Sequence, residues 1–265
     1  MKYCIINRTD EKTFQIVDYI KSRINLSYDD NNPDIIIAVG GDGTIIKAAH
    51  MYPNAILFGV HTGHLGFYAK YTIDEIDNLI SDINNNDYNY ETNDLLSCNI
   101  IDGDNNVISL DALNEITILT PPRTLILDVY IDNEYFEKFR GTGLCISTPS
   151  GSTAYNKSLH GSIIDPLLNT IQLTEIAGIN SNAYRTLSAP LVLASERRIK
   201  LDSLMLQDVF ITVDNLSYNI KNFKSLEIYY ANKHVKMAYH KKEGFLKRLN
   251  RTFLNNEKGE DENAW

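Results

Sequence analysis

The chain has 265 residues, 43% of them apolar, and 25 Lys and Arg against 34 Asp and Glu give a formal charge of −9. That length buries one large core or two modest ones, and no stretch approaches the roughly 18 uncharged apolar residues of a membrane helix. The acidic balance argues against nucleic acid as the main partner, because neutralising phosphates needs clustered cations.

Residues 1–84 alternate in type. The apolar run over 3–6 is too short for a signal peptide and predicts a first strand over 3–7. A helix is expected over 10–24, a second strand over 34–39, a helix over 44–51 and a third strand over 55–60. Thr72 and Glu75 form a capping box ahead of Ile76, Leu79, Ile80 and Ile83, which predicts another helix. Alternating units with continuous apolar strands imply a parallel sheet covered on both faces.

The polar run over 84–89 breaks this texture. Beyond it, short strand-like runs follow at 95–101, 107–110, 125–131, 135–139, 144–147, 198–202, 209–213, 226–230 and 235–239. Turn signals such as Asp102-Gly103 and Asp132-Asn133 separate them, so a β-rich second domain is expected. One helix is expected to interrupt it, over 170–179, packing on the sheet or on another subunit. Phe245, Leu249 and Phe253 then recur at i, i+4 and i+8 with Lys247, Arg248 and Arg251 between them. This predicts a helix that returns to cover the first domain, followed by an acidic tail over 257–265. The expected division is an α/β domain over 1–93, completed by 241–265, and a β-rich domain over 94–240. Cys4, Cys98 and Cys145 have no metal or disulfide spacing and fit buried thiols in a reducing cytoplasm.

Three polar constellations interrupt these patterns. Gly40-Gly41-Asp42-Gly43-Thr44 joins the strand over 34–39 to a helix. Glycine lets a ligand approach the backbone, and a helix start offers free N–H groups to phosphate. Asp42 would repel that phosphate unless it binds metal or takes a proton from a reacting hydroxyl, which points to phosphoryl transfer. The turn lacks the Gly-Lys-Ser/Thr of a Walker A loop and the third glycine of a dinucleotide fingerprint, and by itself also fits a mere tight connection. Asn114-Glu115 is a polar pair inside a strand-like run, costly to bury without a partner and suited to ribose hydroxyls or an adenine edge. Ser147-Thr148-Pro149-Ser150-Gly151-Ser152-Thr153-Ala154-Tyr155 is a donor-rich turn fit for ribose and base. It fails the nucleophile-elbow pattern, because Thr148 replaces the first glycine. His61 and His64 have no third ligand nearby in sequence, so no metal site is expected from them.

Together the three motifs, with the loop His61-Thr62-Gly63-His64-Leu65-Gly66-Phe67-Tyr68, resemble the bacterial NAD kinases over nearly the whole chain. The glycine turn alone is also shared with phosphofructokinases and with diacylglycerol and sphingosine kinases. The resemblance implies a Rossmann-like α/β domain with a phosphofructokinase- and diacylglycerol-kinase-like parallel sheet, plus a β-rich carboxy-terminal domain. It implies phosphorylation of the 2′-hydroxyl of the adenosine ribose of NAD by ATP or polyphosphate, with a divalent metal, Mg²⁺ or Mn²⁺. Asp42 is then the general base, and Gly41, Gly43 and Thr44 form the phosphate-side turn. Asn114 and Glu115 grip the ribose; Ser150, Thr153, Ala154 and Tyr155 form the adenine and ribose wall. Phe67 packs on the adenine, Ala177 meets the nicotinamide end, and Arg140 serves phosphate or structure. Thr142 stands where the family's Gly-Asp-Gly has a carboxylate, and Asn215 where close relatives have histidine, which alters the expected dinucleotide contacts. A homodimer or homotetramer with the NAD site near a subunit boundary is implied, with no nucleic acid or membrane partner. A lipid kinase or a catalytically silent dinucleotide sensor are the alternatives.

Overall fold

The computed structural model describes residues 1–63, 66–120 and 123–254, apart from the side chains at 204 and 206. In chain order the elements are β1 (Lys2–Asn7), α1 (Glu11–Lys21), β2 (Ser27–Tyr28), β3 (Ile35–Gly40), α2 (Asp42–Met51), β4 (Ile56–His61) and α3 (Ile76–Asn85). Then come β5 (Asn89–Ile101), β6 (Val107–Ala112), β7 (Glu115–Leu119), β8 (Leu125–Ile131), β9 (Glu134–Gly141), β10 (Gly143–Ser147) and α4 (Tyr155–Ser158). The last are β11 (Thr170–Ile176), β12 (Leu191–Ala194), β13 (Ile199–Val213), β14 (Leu216–Tyr239) and α5 (Phe245–Phe253). The chain forms two compact units, residues 1–91 with the chain from Lys236 onward, and Thr92–Val235.

In the first unit β4, β3, β1 and β2 lie side by side in parallel, and the end of β14 adds a parallel pairing on β4 at Met237↔Leu57. Every residue of β3 is buried, as a parallel strand covered on both faces requires. Ile20, Ile35, Phe58, Tyr71, Leu79 and Ile83 form the centre of the core. Asp10 caps α1 by accepting the Thr13 N–H at 3.0 Å. Glu75 accepts the Thr72 N–H at 2.9 Å ahead of α3. The expected helix over 10–24 stops at Lys21, where the last carbonyls are taken up by turn N–H groups at Ser22 and Ile24.

The second unit is antiparallel, ordered β12-β11-β10-β7-β13-β14, with β8 paired on β13 and β9 on β8. Leu96, Ile118, Phe139, Ile146, Ile211 and Phe223 centre its core. Three sequence expectations are corrected here. The helix expected over 170–179 is strand β11, inserted between β10 and β12. Its mixture of polar and apolar positions read as a mixed helix face, but Gln172 and Thr174 are buried and satisfied. Gln172 bonds both the N–H and the carbonyl of Ser162 at 2.6 and 3.0 Å, and Thr174 donates to Asn156 at 2.7 Å. Asn114-Glu115 is not inside one strand, because β6 ends at Ala112 and β7 starts at Glu115. The runs at 198–202 and 209–213 are parts of one strand, β13, with bulges between, and those at 226–230 and 235–239 are parts of β14. The acidic tail over 257–265, His64 and the carboxy-terminal part of 241–265 lie outside the described residues.

Candidate functional site

In the first unit, β3 ends at Gly40 and α2 begins at Asp42, two residues before the expected start at Thr44. Gly41 is the cap residue, and its carbonyl accepts the N–H groups of Thr44 and Ile45 at 2.9 and 3.3 Å. A Cβ at Gly40 would collide with the side chain of Thr44, so this glycine serves packing. A Cβ at Gly41 or Gly43 would meet no heavy atom within 4 Å. The chain itself therefore leaves room at the helix start, where N–H groups and the dipole favour a negative ligand.

The Asp42 carboxylate is not loose in that turn. Its Oδ2 accepts the Phe67 N–H at 2.8 Å and its Oδ1 the Tyr68 N–H at 3.1 Å. A Cβ at Gly66 would run into both carboxylate oxygens, which explains a glycine there. Two N–H donors fix the carboxylate's orientation, while each oxygen keeps lone-pair capacity for a further donor. The loop carrying those donors is held in turn by α5. Arg248 Nη1 donates to the Phe67 carbonyl at 2.9 Å, and the Phe67 and Phe253 rings pack with centroids 5.4 Å apart. Beside the turn lies a cleft of about 330 Å³ lined by Asn7, Arg8, Thr9, Asp10, Thr44 and Lys47, with Gly43 on its rim. Two cations and a helix N-terminus there suit a phosphate chain. Asp10 lines the cleft, but its Oδ1 takes the Thr13 N–H and hydroxyl and its Oδ2 lies 3.5 Å from Arg8, so a hard cation brought by that chain would rest mainly on the phosphates. Among the described residues no cluster of three or more His, Cys, Asp or Glu could hold a metal by itself.

In the second unit, Leu113, Asn114 and Glu115 form a turn pinned from two sides. The Asp214 carboxylate accepts the three N–H groups of Leu113, Asn114 and Glu115 at 2.8, 2.6 and 3.2 Å. Asp214 sits at φ 53° in the β13–β14 turn, a left-handed conformation that Asp tolerates. On the other side Thr148 donates to the Leu113 carbonyl at 2.7 Å and accepts from the Gly151 N–H at 2.9 Å. The fit is close: a Cβ at Gly151 would lie 2.5 Å from the Asn114 carbonyl carbon. Ser150 and Thr153 belong to the 3₁₀ turn that follows, and Tyr155 opens α4 with its ring exposed.

Glu115 is 7% exposed, and its Oε2 is buried without a hydrogen-bond partner. Burial first, and the Asp214 carboxylate second, push its pKa up to about 8, against one opposing N–H from Tyr155. A buried acceptor left open costs stability unless something else satisfies it. A sugar hydroxyl is such a donor.

The predicted site residues of this unit fall into two groups. Asn114, Glu115, Ser150, Thr153, Ala154, Tyr155 and Asn215 gather where β7 begins and β10 ends. Arg140, Thr142 and Ala177 stand at the opposite end of β10, a strand of five residues and hence about 16 Å long. There the Thr142 N–H donates to the Ile176 carbonyl at 3.0 Å, and the Arg140 guanidinium lies 3.9 Å over the Tyr184 ring. Ala177 holds φ 49°, an unusual conformation for alanine. Sequence reasoning missed Arg8, Lys47, Asp214 and Arg248 as members or supports of the site, and it read Thr148 as a ligand-binding hydroxyl where the structure uses it to pin the turn over 113–115. The Asp214-Asn215 hairpin turn between two strand-like runs was the available signal for one of them.

Two family models match the chain. One is described as the ATP-NAD kinase N-terminal domain and matches residues 7–88; the other, the ATP-NAD kinase C-terminal domain, matches 113–238. NAD kinases of Staphylococcus aureus strains JH9 and Newman are each 39% identical over 267 residues, 97% of this chain and 99% of theirs. The crystal structure of yeast NADH kinase complexed with NADH superposes with a TM-score of 0.84 at 20% identity, over 98% of this chain and 89% of that one. An NAD kinase from Archaeoglobus fulgidus in complex with ATP gives 0.75 at 21%, over 95% and 98%. At those identities the structural likeness shows the fold alone.

Proposed function

This chain belongs to the NAD kinase family, and we propose that it transfers the terminal phosphoryl group of ATP, or of polyphosphate, to the 2′-hydroxyl of the adenosine ribose of NAD, giving NADP. The observation that carries this reading is the Asp42 carboxylate, fixed by two backbone N–H groups at a helix start beside a cationic cleft. Asp42 is the general base. It takes the hydroxyl proton as the ribose oxygen attacks phosphorus, the new O–P bond forming as the bond to the leaving phosphate breaks. Such a base contributes about 10²–10⁴-fold. Gly41, Gly43 and Thr44 line the phosphate side, with Arg8 and Lys47 balancing its charge. A divalent cation, Mg²⁺ or Mn²⁺, would be held by the donor's phosphates and, when bound, would neutralise part of their charge.

The open Oε2 of Glu115, with Asn114, receives ribose hydroxyls. Ser150, Thr153, Ala154 and Tyr155 wall the adenosine, Phe67 packs on the base, and Asn215 bonds a phosphate or ribose oxygen. Arg140, Thr142 and Ala177, at the far end of β10, serve the dinucleotide of a neighbouring subunit in a homodimer or homotetramer. Thr142 keeps a donor and an acceptor there but brings no charge. The buried free thiols of Cys4, Cys98 and Cys145 fit a reducing cytoplasm, and among the described residues no helix is long and apolar enough to cross a membrane.

Incubation with NAD, ATP and Mg²⁺, followed by quantification of NADP, tests the assignment. NADP accumulation is expected. Binding of NAD without turnover would make the chain a dinucleotide sensor, and phosphorylation of a lipid in its place would make it a lipid kinase.

A further inference from the structure

On the other side of the loop that holds Asp42 is a second cavity, of about 290 Å³, between that loop, the start of α3 and the segment leading into α5. Six cations surround it: Lys70, Lys241, Lys242, Lys247, Arg248 and Arg251. Glu75 and Glu243 also line it, and Glu91 pairs with Lys70 and Arg248 from behind. Three carboxylates against six cations leave this patch strongly positive in a chain whose net charge is −9. Such a concentration repels itself unless an anion offsets it.

The patch is built into the fold rather than spread over a solvated face. The side chain of Lys70 is 6% exposed and that of Arg248 11%. Arg251 donates to Glu243 at 2.6 Å through Nη1, while its Nε is buried without a hydrogen-bond partner. Glu75 is oriented by the Thr72 N–H and hydroxyl and keeps its charge, which is already counted among the three carboxylates. Lys241, Lys242 and Lys247 are exposed at the rim and free to turn inward.

We propose that this cavity binds a small anion carrying two or more phosphate groups, at a site separate from the cleft at Arg8 and Lys47. Arg248 is held by the Phe67 and Glu243 carbonyls and by the Glu243 carboxylate, so the donors left for phosphate oxygens are the open Nε of Arg251 and the rim ammonium groups, with the Arg248 charge behind them. Burial lowers the Lys70 pKa to about 8 despite Glu91, so an additional anion relieves a desolvated cation. Arg248 links the site to the chemistry, because the same guanidinium that lines the cavity holds the Phe67 carbonyl, and the Phe67 N–H holds Asp42.

Isothermal titration of the full chain with inorganic tripolyphosphate, at low ionic strength and without metal, tests the site. Wild type is expected to show two classes of binding. Lys47→Glu keeps the class assigned here and loses the other, whereas Lys241→Glu/Lys247→Glu does the reverse. All three rim lysines are exposed, and thermal unfolding confirms that the variants fold. Citrate, a tricarboxylate without phosphate, binds at least about tenfold more weakly at this site. An unchanged isotherm in the double variant, or a single class abolished by Lys47→Glu, would overturn the site; equal binding of citrate would overturn its phosphate character.

Discussion

Glu115 shows how a single side chain links binding to stability. Its pKa is raised from 4.5 to about 8 by burial and by Asp214. Between those values the folded state binds more protons than the unfolded chain, so stability falls as pH rises through that window. Ionising it in place costs on the order of 5 kcal/mol. Glu115→Gln should therefore flatten the stability profile between pH 5 and about 8, as read by urea unfolding, while Glu115→Ala should raise KM for NAD because the group that meets the ribose is lost. Arg248 acts differently, through the backbone of Phe67. Arg248→Ala should lower kcat about 10–100-fold with little change in KM for NAD, because it loosens the donors that fix Asp42 rather than a substrate contact. Steady-state kinetics separate the two residues; a pure KM effect in Arg248→Ala contradicts its positioning role.

At the scale of elements, the turn over 113–115 depends on Thr148, whose hydroxyl donates to one buried backbone group and accepts from another. Thr148→Val keeps the volume and removes both bonds, which should cost about 2–4 kcal/mol by chemical denaturation. A cost within about 0.5 kcal/mol would show that the pin is dispensable. The β3–turn–α2 unit was legible because its determinants are local: a run of Ile35, Ile36, Ile37, Ala38 and Val39, then glycines. α5 was legible from Phe245, Leu249 and Phe253 for the same reason. β11 was not, since Gln172 and Thr174 are satisfied by Ser162 and Asn156, partners that only the folded chain supplies. Of the site, the motif residues could be read in sequence, but their supports could not. Asp214 acts on N–H groups about a hundred residues earlier, and Arg248 on a carbonyl 181 residues earlier. No local spacing encodes such contacts.

For the whole molecule, the separation of Arg140, Thr142 and Ala177 from Asn114 and Glu115 along β10 bears on assembly. If neighbouring subunits complete each other's sites, chains carrying Asp42→Asn and chains carrying Arg140→Glu, each inactive alone, should regain about a quarter of wild-type activity when coexpressed and randomly paired. No recovery in confirmed hybrids would place each site within one chain. Assembly, donor and dinucleotide contacts all presuppose the same proton transfer. Its most direct test is the turnover of NAD to NADP by Asp42→Asn, which keeps the shape of the side chain and removes its basicity. With folding verified by thermal unfolding, kcat should fall about 10²–10⁴-fold while NAD still binds; turnover at the wild-type rate would contradict the assignment of Asp42 as the base.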